Sequence, residues 1–125
     1  MTQKTCCVDF DGTLHPYSNG WTGMVPDDEP PTDGAREALR ALRVKGYLVV
    51  VFSARATTNE GVTGIRNWLA RYSLLQFVVE ITAVKPIAVA YIDDRAVPFN
   101  GNWFAAIRGV DALAAKEEKE IADAP

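Results

Sequence analysis

The sequence predicts an α/β protein: a Rossmann-like, doubly wound domain whose central, mainly parallel sheet is flanked by helices. Two observations favour this fold class. Short apolar runs of strand length alternate along the chain with amphipathic segments of helix length, which is the pattern of successive βαβ units. The 125 residues are the size of one domain, and no linker or internal repeat divides them. We therefore expect residues 1–125 to form a single domain.

Four apolar runs rich in β-branched and aromatic residues predict strands at residues 5–10, 47–53, 76–82 and 88–93. None of these runs alternates regularly between apolar and polar residues. Continuous apolar runs are typical of parallel strands that are covered on both faces. We therefore expect all four strands to be buried on both faces, with helices on both sides of the sheet.

Two helices are expected between these strands. The first is capped by Thr32 or Asp33 and ended by Gly46, and the second begins at Thr58 or Asn59. Apolar residues at helical spacing mark the buried stripe of each helix: Ala35, Leu39 and Leu42 in the first, and Ile65, Trp68, Leu69 and Tyr72 in the second. After the last strand, residues 102–109 predict a short helix, and residues 110–125 a C-terminal helix or tail.

A long irregular segment separates the first strand from the first helix. Residues 15–31 are rich in Pro, Gly, Asn and Asp and carry no periodic apolar pattern. A loop of this length inside a compact domain is uncommon and often functional. We expect it to serve as a long loop or partial lid.

Composition limits the classes of partner and compartment. The net charge is −3 and Lys and Arg form no run, so nucleic-acid binding is not indicated by charge. The two cysteines, Cys6 and Cys7, are adjacent and would point to opposite faces of a strand, so we expect reduced core thiols. The sequence shows neither a signal-peptide pattern nor an apolar run of membrane length, and a cytoplasmic protein without a membrane partner is expected.

Polar residues stand at the carboxyl end of each predicted strand. Asp9 and Asp11 follow the first, Ser53 the second, Lys85 the third, and Asp93 with Asp94 the fourth. In a doubly wound sheet the ligand crevice lies beyond these strand ends. The sequence therefore predicts that these six side chains meet at one edge of the sheet.

Such a group of residues suits phosphoryl chemistry. Crowded carboxylates stay ionised when a hard cation lies among them, and Mg²⁺ prefers oxygen ligands. A cation beside Ser53 and Lys85 would hold a phosphoryl group. Asp9 is then a candidate nucleophile and Asp11 a candidate proton donor to the leaving group. Gly12 would let the backbone turn, and Thr13 could hydrogen-bond across that turn.

These residues resemble the four motifs of the haloacid dehalogenase superfamily, in order. The resemblance rests on DFDGTL at residues 9–14, on VVVFSAR with Ser53, on Lys85 before Pro86, and on YIDDR with Asp93 and Asp94. It covers residues 5–95, about three-quarters of the chain. DxDGT alone is fairly specific, and coincidence is improbable with all four motifs at strand ends.

The resemblance implies a role for each matching residue. Asp9 attacks phosphorus and binds Mg²⁺, and Asp11 protonates the leaving group, activates water and offers its backbone carbonyl to the metal. Asp93 ligates the metal directly or through water. The remaining residues support the site: Ser53 and Lys85 hold phosphoryl oxygens, and Asp94 supports the metal ligands. An acid at position 11 points to phosphate-ester hydrolysis rather than to carbon–halogen cleavage.

The chain has no room for the cap domain of larger family members, so it resembles the capless subclass. That subclass acts on bulky or macromolecular phosphorylated substrates, or has its site covered by a neighbouring subunit, and a homodimer would be unsurprising. His15, Tyr17 and Trp21 are possible substrate contacts, although packing of the loop onto the body is the simpler explanation for Tyr17 and Trp21, and a loop histidine without a partner is more often incidental. Arg55 and Arg95 fit either a phosphate clamp or a structural salt bridge and stay outside the catalytic set.

Two alternatives remain open: a non-catalytic module, and a phosphatase that acts on nucleic-acid ends. A module that binds phosphorylated ligands or docks partners without catalysis would keep the Ser53 and Lys85 cradle but would need neither a nucleophile nor an acid. A nucleic-acid end-processing phosphatase would use the same chemistry on a different partner.

Overall fold

A computed structural model describes residues 3–123 and confirms the α/β fold class. Among these residues, four parallel strands form one sheet: β1 (Thr5–Asp9), β2 (Leu48–Phe52), β3 (Val78–Thr82) and β4 (Ala90–Ile92). The helices are α1 (Ala35–Val44), α2 (Asn59–Arg71) and α3 (Trp103–Ala122). Short 3-10 turns cover Ala54–Thr57 and Leu75–Phe77. The chain divides into two compact units, Met1–Asp94 and Arg95–Pro125.

The strands lie in the order β3-β2-β1-β4. The chain runs outward from β1 through β2 to β3 and then returns to β4 on the other side of β1. The direction of winding therefore reverses next to β1. This reversal point is where ligand crevices form in open α/β sheets.

The core of the first unit lies between one face of the sheet and both of its helices. Cys6 and Val8 of β1 are opposite Val49 and Val51 of β2, and all four are buried. Leu39 of α1 and further side chains of α2 join the same cluster, including Ile65, Trp68 and Leu69. The predicted buried stripes of both helices are thus confirmed, with Leu42 and Tyr72 partly buried. Two successive crossovers in one direction put both helices on one face, because each is right-handed.

The expectation that all four strands are buried on both faces is correct for β1 and β2 and wrong for the outer strands. The three central residues of β1 and of β2 are buried. All three residues of β4 are exposed, and so are Val79 and Glu80 of β3. β3 pairs with β2 and β4 pairs with β1. Both are edge strands, with one neighbour each in the sheet, so they have fewer neighbours to cover them.

The helix ends differ in how well the sequence predicts them. Thr58 caps α2 as expected, because its hydroxyl accepts a hydrogen bond from the Gly61 N–H at 3.0 Å. The expected cap of α1 is wrong: Gly34 holds the N-cap position with φ of +83°, and the Thr32 hydroxyl instead donates to the Thr13 carbonyl at 2.6 Å. Gly46 follows α1 with φ of +94°, as a helix-ending glycine should.

The second unit contains one helix where two were expected. α3 runs continuously from Trp103 to Ala122 and is capped by the Asn102 side chain, which accepts from the Ala105 N–H at 3.1 Å. Gly109, the last residue of the first expected helix, lies inside the continuous helix. A Cβ at Gly109 would lie 2.9 Å from a methyl carbon of Val97, so the missing side chain gives Val97 room to pack. Residues 124 and 125 of the expected C-terminal tail lie outside the described residues.

Both cysteines are free and buried, as expected. Burial raises the pKa of the Cys6 and Cys7 thiols, which keeps them in their unreactive protonated form. Within residues 3–123, none of the helices combines the length and the apolarity that crossing a bilayer requires.

The close approach of α2 to the 3-10 turn after β2 depends on Gly61. A Cβ at this position would lie 1.7 Å from the backbone carbonyl oxygen of Arg55. We predict that Gly61→Ala lowers the free energy of unfolding by about 2–3 kcal/mol despite the better helix propensity of Ala, because backbone must move to admit the methyl group. Urea unfolding checks this, with Thr63→Ala on the exposed face of α2 as the control. Equal stability of the two variants would contradict the packing of α2 described above.

Candidate active site

Asp9, Asp93 and Asp94 come together where the winding of the sheet reverses. Asp9 is the last residue of β1, and the two other acids directly follow β4. β1 and β4 are hydrogen-bonded neighbours with Val8 opposite Ile92, so their carboxyl ends are adjacent. One carboxylate oxygen from each of the three acids lies within 4.8 Å of the others. The structure thus brings together three of the six residues expected at this edge of the sheet.

Ionising Asp9 beside Asp93 and Asp94 is unfavourable. Burial, followed by the charges of Asp93 and Asp94, raises the pKa of Asp9 to about 7. A hydrogen bond with Asp94 acts in the same direction. Within residues 3–123, Asp94 Oδ1 is a buried oxygen that accepts no hydrogen bond. Excess negative charge together with an unsatisfied buried acceptor is what a bound cation would relieve.

The donor set fits a hard divalent cation. All three side chains offer carboxylate oxygens, the ligand type that Mg²⁺, Mn²⁺ and Ca²⁺ share. No nitrogen or sulfur ligand belongs to this cluster of described residues. A soft metal would gain little here, whereas a hard cation would neutralise the repulsion among the acids.

Gly12 allows Asp94 to enter the site. Its φ of +83° lies in the left-handed region, which favours glycine. A Cβ at Gly12 would lie 2.3 Å from Asp94 Oδ2. The Thr13 N–H donates to the Phe10 carbonyl at 3.2 Å, and the Thr13 hydroxyl approaches Asp9 Oδ2 at 3.5 Å. Residues 11–13 thus form a tight turn that packs against Asp94, the last residue of the first unit.

Ser53 lies directly after the β2 residue that pairs with Asp9. Phe52 is opposite Asp9, and Phe10 N–H donates to the Phe52 carbonyl at 3.1 Å. Ser53 is buried, and its Oγ accepts from the Arg55 N–H at 3.1 Å. That bond leaves the hydroxyl hydrogen of Ser53 available for another acceptor.

Lys85 follows β3 in an irregular segment, as predicted. Its Nζ lies 4.8 Å from the Tyr91 ring centroid and 5.9 Å from that of Phe52. Its positive charge lowers the pKa of the Cys7 thiol, while the charges of Asp9 and Asp93 raise it. The charge of Lys85 and those of Asp9 and Asp93 therefore act on the same residue of β1, Cys7.

Asp11 does not join the acidic cluster through its side chain. Arg55 Nε donates to both carboxylate oxygens of Asp11, at 3.1 Å each. Arg55 is fully buried, whereas 23 % of the Asp11 side chain is exposed. The Arg55–Asp11 salt bridge was one of two roles open for Arg55 in the sequence. Its position directly beyond Ser53 at a strand end was the available signal.

A hydrogen bond, an ion pair and close packing anchor the loop of residues 15–31 on α2. Trp68 Nε1–H donates to the Glu29 carbonyl at 2.8 Å, and Arg71 forms an ion pair with Asp28 at 2.7 Å. Gly64 approaches Val25 and Pro26, so that a Cβ there would lie 3.0 Å from the Pro26 ring. The second half of the loop is therefore part of the folded body.

His15 anchors this loop from inside. It is only 2 % exposed and packs against Phe10 and Trp68. Its Nδ1 accepts from the Tyr17 N–H at 2.9 Å, so the neutral ring carries its hydrogen on Nε2 and donates it to the Asp27 backbone carbonyl at 3.0 Å; the Asp27 carboxylate lies 2.7 Å from Nε2. With both ring nitrogens engaged, His15 in this arrangement anchors the loop from within, and Asp27 and Glu29 lie beside it.

Of the three possible substrate contacts in the loop, Trp21 is the most exposed, at 53 %. Its ring lies over the Arg55 guanidinium, 4.4 Å from the guanidinium carbon to the ring centroid. Tyr17 is half-buried and adopts φ of +60°, a conformation that a bulky residue seldom takes. Trp21 thus contacts the salt bridge of Asp11 indirectly, through Arg55.

Because the pKa of Asp9 is raised, removing its charge should stabilise the folded protein, by an amount that depends on pH. The unfolded chain releases this proton near pH 4 and the folded protein near pH 7, so the wild type loses stability as pH rises between these values. In EDTA, Asp9→Asn should be more stable than the wild type by about 2 kcal/mol at pH 8, after a discount for screening by water, and equally stable at pH 4. Urea unfolding measures this, with exposed Asp33→Asn as the control. A destabilised Asp9→Asn at pH 8 would contradict the repulsion.

Comparison with protein-family models, with curated proteins and with solved structures finds no match to this chain.

Proposed function

We propose that the chain is a phosphatase that hydrolyses a phosphate monoester through an aspartyl-phosphate on Asp9 and depends on a divalent cation, Mg²⁺ being the first candidate. The observation that carries this proposal is the cluster of Asp9, Asp93 and Asp94 at the reversal point of the sheet. The resemblance of the four strand-end motifs to the haloacid dehalogenase superfamily points to the same activity. The pairing of Asp11 with Arg55 sets it apart from the acidic cluster, which suits a separate role.

The proposed reaction has two steps that share Asp11. A carboxylate oxygen of Asp9 attacks phosphorus, the bond from phosphorus to the ester oxygen breaks, and Asp11 gives its proton to the departing oxygen. Asp11 then takes a proton from a water molecule, whose oxygen attacks the phosphorus of the aspartyl-phosphate and releases phosphate and free Asp9. Proton transfer of this kind contributes about 10²–10⁴ in rate.

Other residues would hold the substrate in place. The Ser53 hydroxyl and the Lys85 ammonium are donors suited to phosphoryl oxygens. Carboxylates of Asp9, Asp93 and Asp94 would hold the cation. When bound, the cation would offset the negative charge of the phosphoryl group and keep Asp9 ionised.

The decisive experiment is hydrolysis of 4-nitrophenyl phosphate with Mg²⁺ and with EDTA. We predict turnover that requires the cation and falls at least about 10³-fold in Asp9→Asn, because the amide cannot replace the carboxylate as nucleophile. Asp33→Asn is the matched control and should keep full activity. Undiminished turnover in Asp9→Asn would exclude Asp9 as the nucleophile. Phosphate binding without turnover in the wild type would instead favour the non-catalytic phospholigand module.

Cation binding can be tested without substrate. Because Asp9 must be ionised to bind the cation and its pKa is raised to about 7, Mg²⁺ affinity should increase as pH rises from 6 to 8, with proton release on binding. Calorimetric titration in two buffers of different ionisation enthalpy measures both quantities. Asp93→Asn should weaken binding at every pH. Affinity that does not change between pH 6 and pH 8 would exclude Asp9 as a ligand.

A further inference from the structure

The salt bridge between Arg55 and Asp11 is unusual in its burial. Arg55 has no exposed surface, and its Nε–H points to the centre of the Asp11 carboxylate, 3.1 Å from each oxygen. A buried charge that loses its partner is strongly destabilising. Rotation of Asp11 away from Arg55 is therefore costly, and the carboxylate is held in one orientation while part of it stays exposed.

Arg55 is itself held by the loop. Its Nη1 donates to the Gly23 carbonyl, and the Trp21 ring covers its guanidinium at 4.4 Å. The backbone of Arg55 is also fixed, because Gly61 packs against its carbonyl and its N–H donates to Ser53 Oγ. Arg55 thus joins three parts of the protein: the turn after β1, the 3-10 turn after β2, and the loop of residues 15–31.

We propose that Arg55 is the positioning residue for Asp11, and that Trp21 and Gly23 act on Asp11 by keeping Arg55 in place. This proposal rests on the proposed phosphatase function, in which Asp11 transfers the proton. It assigns Trp21 a role in the rate of the proton-transfer step rather than in substrate binding. A planar guanidinium suits this role because it contacts the carboxylate, a carbonyl and a ring at once.

Leaving-group dependence separates positioning from a general structural role. 4-Nitrophenolate leaves readily without a proton, whereas the alkoxide of glycerol phosphate needs one. Arg55→Gln should lower kcat on glycerol phosphate about 10²-fold and on 4-nitrophenyl phosphate less than about tenfold, the same pattern as Asp11→Asn. Adding Arg55→Gln to Asp11→Asn should cause no further loss. Exposed Arg66→Gln on α2 is the matched control and should leave both rates unchanged. Equal loss on the two substrates would overturn the proposal.

Trp21 gives a second test that does not require changing a buried residue. Trp21→Leu should lower kcat on glycerol phosphate about tenfold with KM unchanged, and Trp21→Phe should restore most of it because a ring still covers Arg55. A raised KM with unchanged kcat in Trp21→Leu would show a substrate contact and overturn the proposed role.

A measurement without substrate separates this proposal from the proposed function. In the wild type, the Arg55 Nε–H should exchange slowly with solvent by NMR, and Asp11→Ala and Trp21→Leu should speed its exchange at least about tenfold. Unchanged exchange in both variants would overturn the link between loop, Arg55 and Asp11. Slow, variant-sensitive exchange in a protein that hydrolyses neither phosphate ester would support that link and overturn the phosphatase function.

Discussion

The buried guanidinium of Arg55 is the constraint on which the structure around Asp11 depends. A charge without exposed surface is costly unless it is paired and hydrogen-bonded. Asp11 supplies the opposite charge, the Gly23 carbonyl accepts from Nη1, and Trp21 covers the remaining face. Removing the loop would expose the guanidinium and weaken its hold on Asp11. The loop of residues 15–31 therefore stabilises one side of the candidate site while its own conformation is fixed by that contact.

Arg55 is paired with Asp11 and not with the acidic cluster of Asp9, Asp93 and Asp94. Arg55 is a cation near the carboxyl end of β2, and its Nε–H is engaged by Asp11. Burial of Asp9, together with the charges of its neighbours Asp93 and Asp94, raises the pKa of Asp9. The site thus holds one carboxylate, that of Asp11, against a buried guanidinium, and groups three others at the reversal point of the sheet. The neutral core of buried apolar residues below β1 and β2 must stabilise the fold against this local repulsion.

Sequence patterns predicted those features well that depend only on residues close together in the chain. The stripe of Ile65, Trp68 and Leu69 is buried because helical spacing alone sets which residues share a face. The exposure of β4 was not predictable in this way, because an apolar run does not reveal whether a strand has one neighbour or two. Nor does a glycine in a helix pattern tell whether the helix breaks: Gly109 stays helical and gives Val97 room to pack.

The candidate site shows the same division. Acids at strand ends could be brought together from topology alone, since parallel strands finish at one edge, and the structure does so for Asp9, Asp93 and Asp94. The partner of Asp11 lies 44 residues away, and no pattern in the sequence links the two. His15 was likewise ambiguous, because its burial depends on Trp68 of a later helix and on Asp27 of its own loop.

The anchors of the loop limit what a lid could do. Glu29 and Asp28 are bonded to Trp68 and Arg71 of α2, and a rigid opening of the whole loop would break both contacts. Positive φ values occur at Tyr17, Gly20 and Gly23, on either side of Trp21. A movement confined to residues 21–23 would keep the anchors on α2 and the Tyr17 N–H bond to His15, and would still uncover Arg55. Any opening that this loop permits at low cost therefore acts on the Arg55–Asp11 salt bridge first, which couples access on this side of the site to the position of the proposed proton donor.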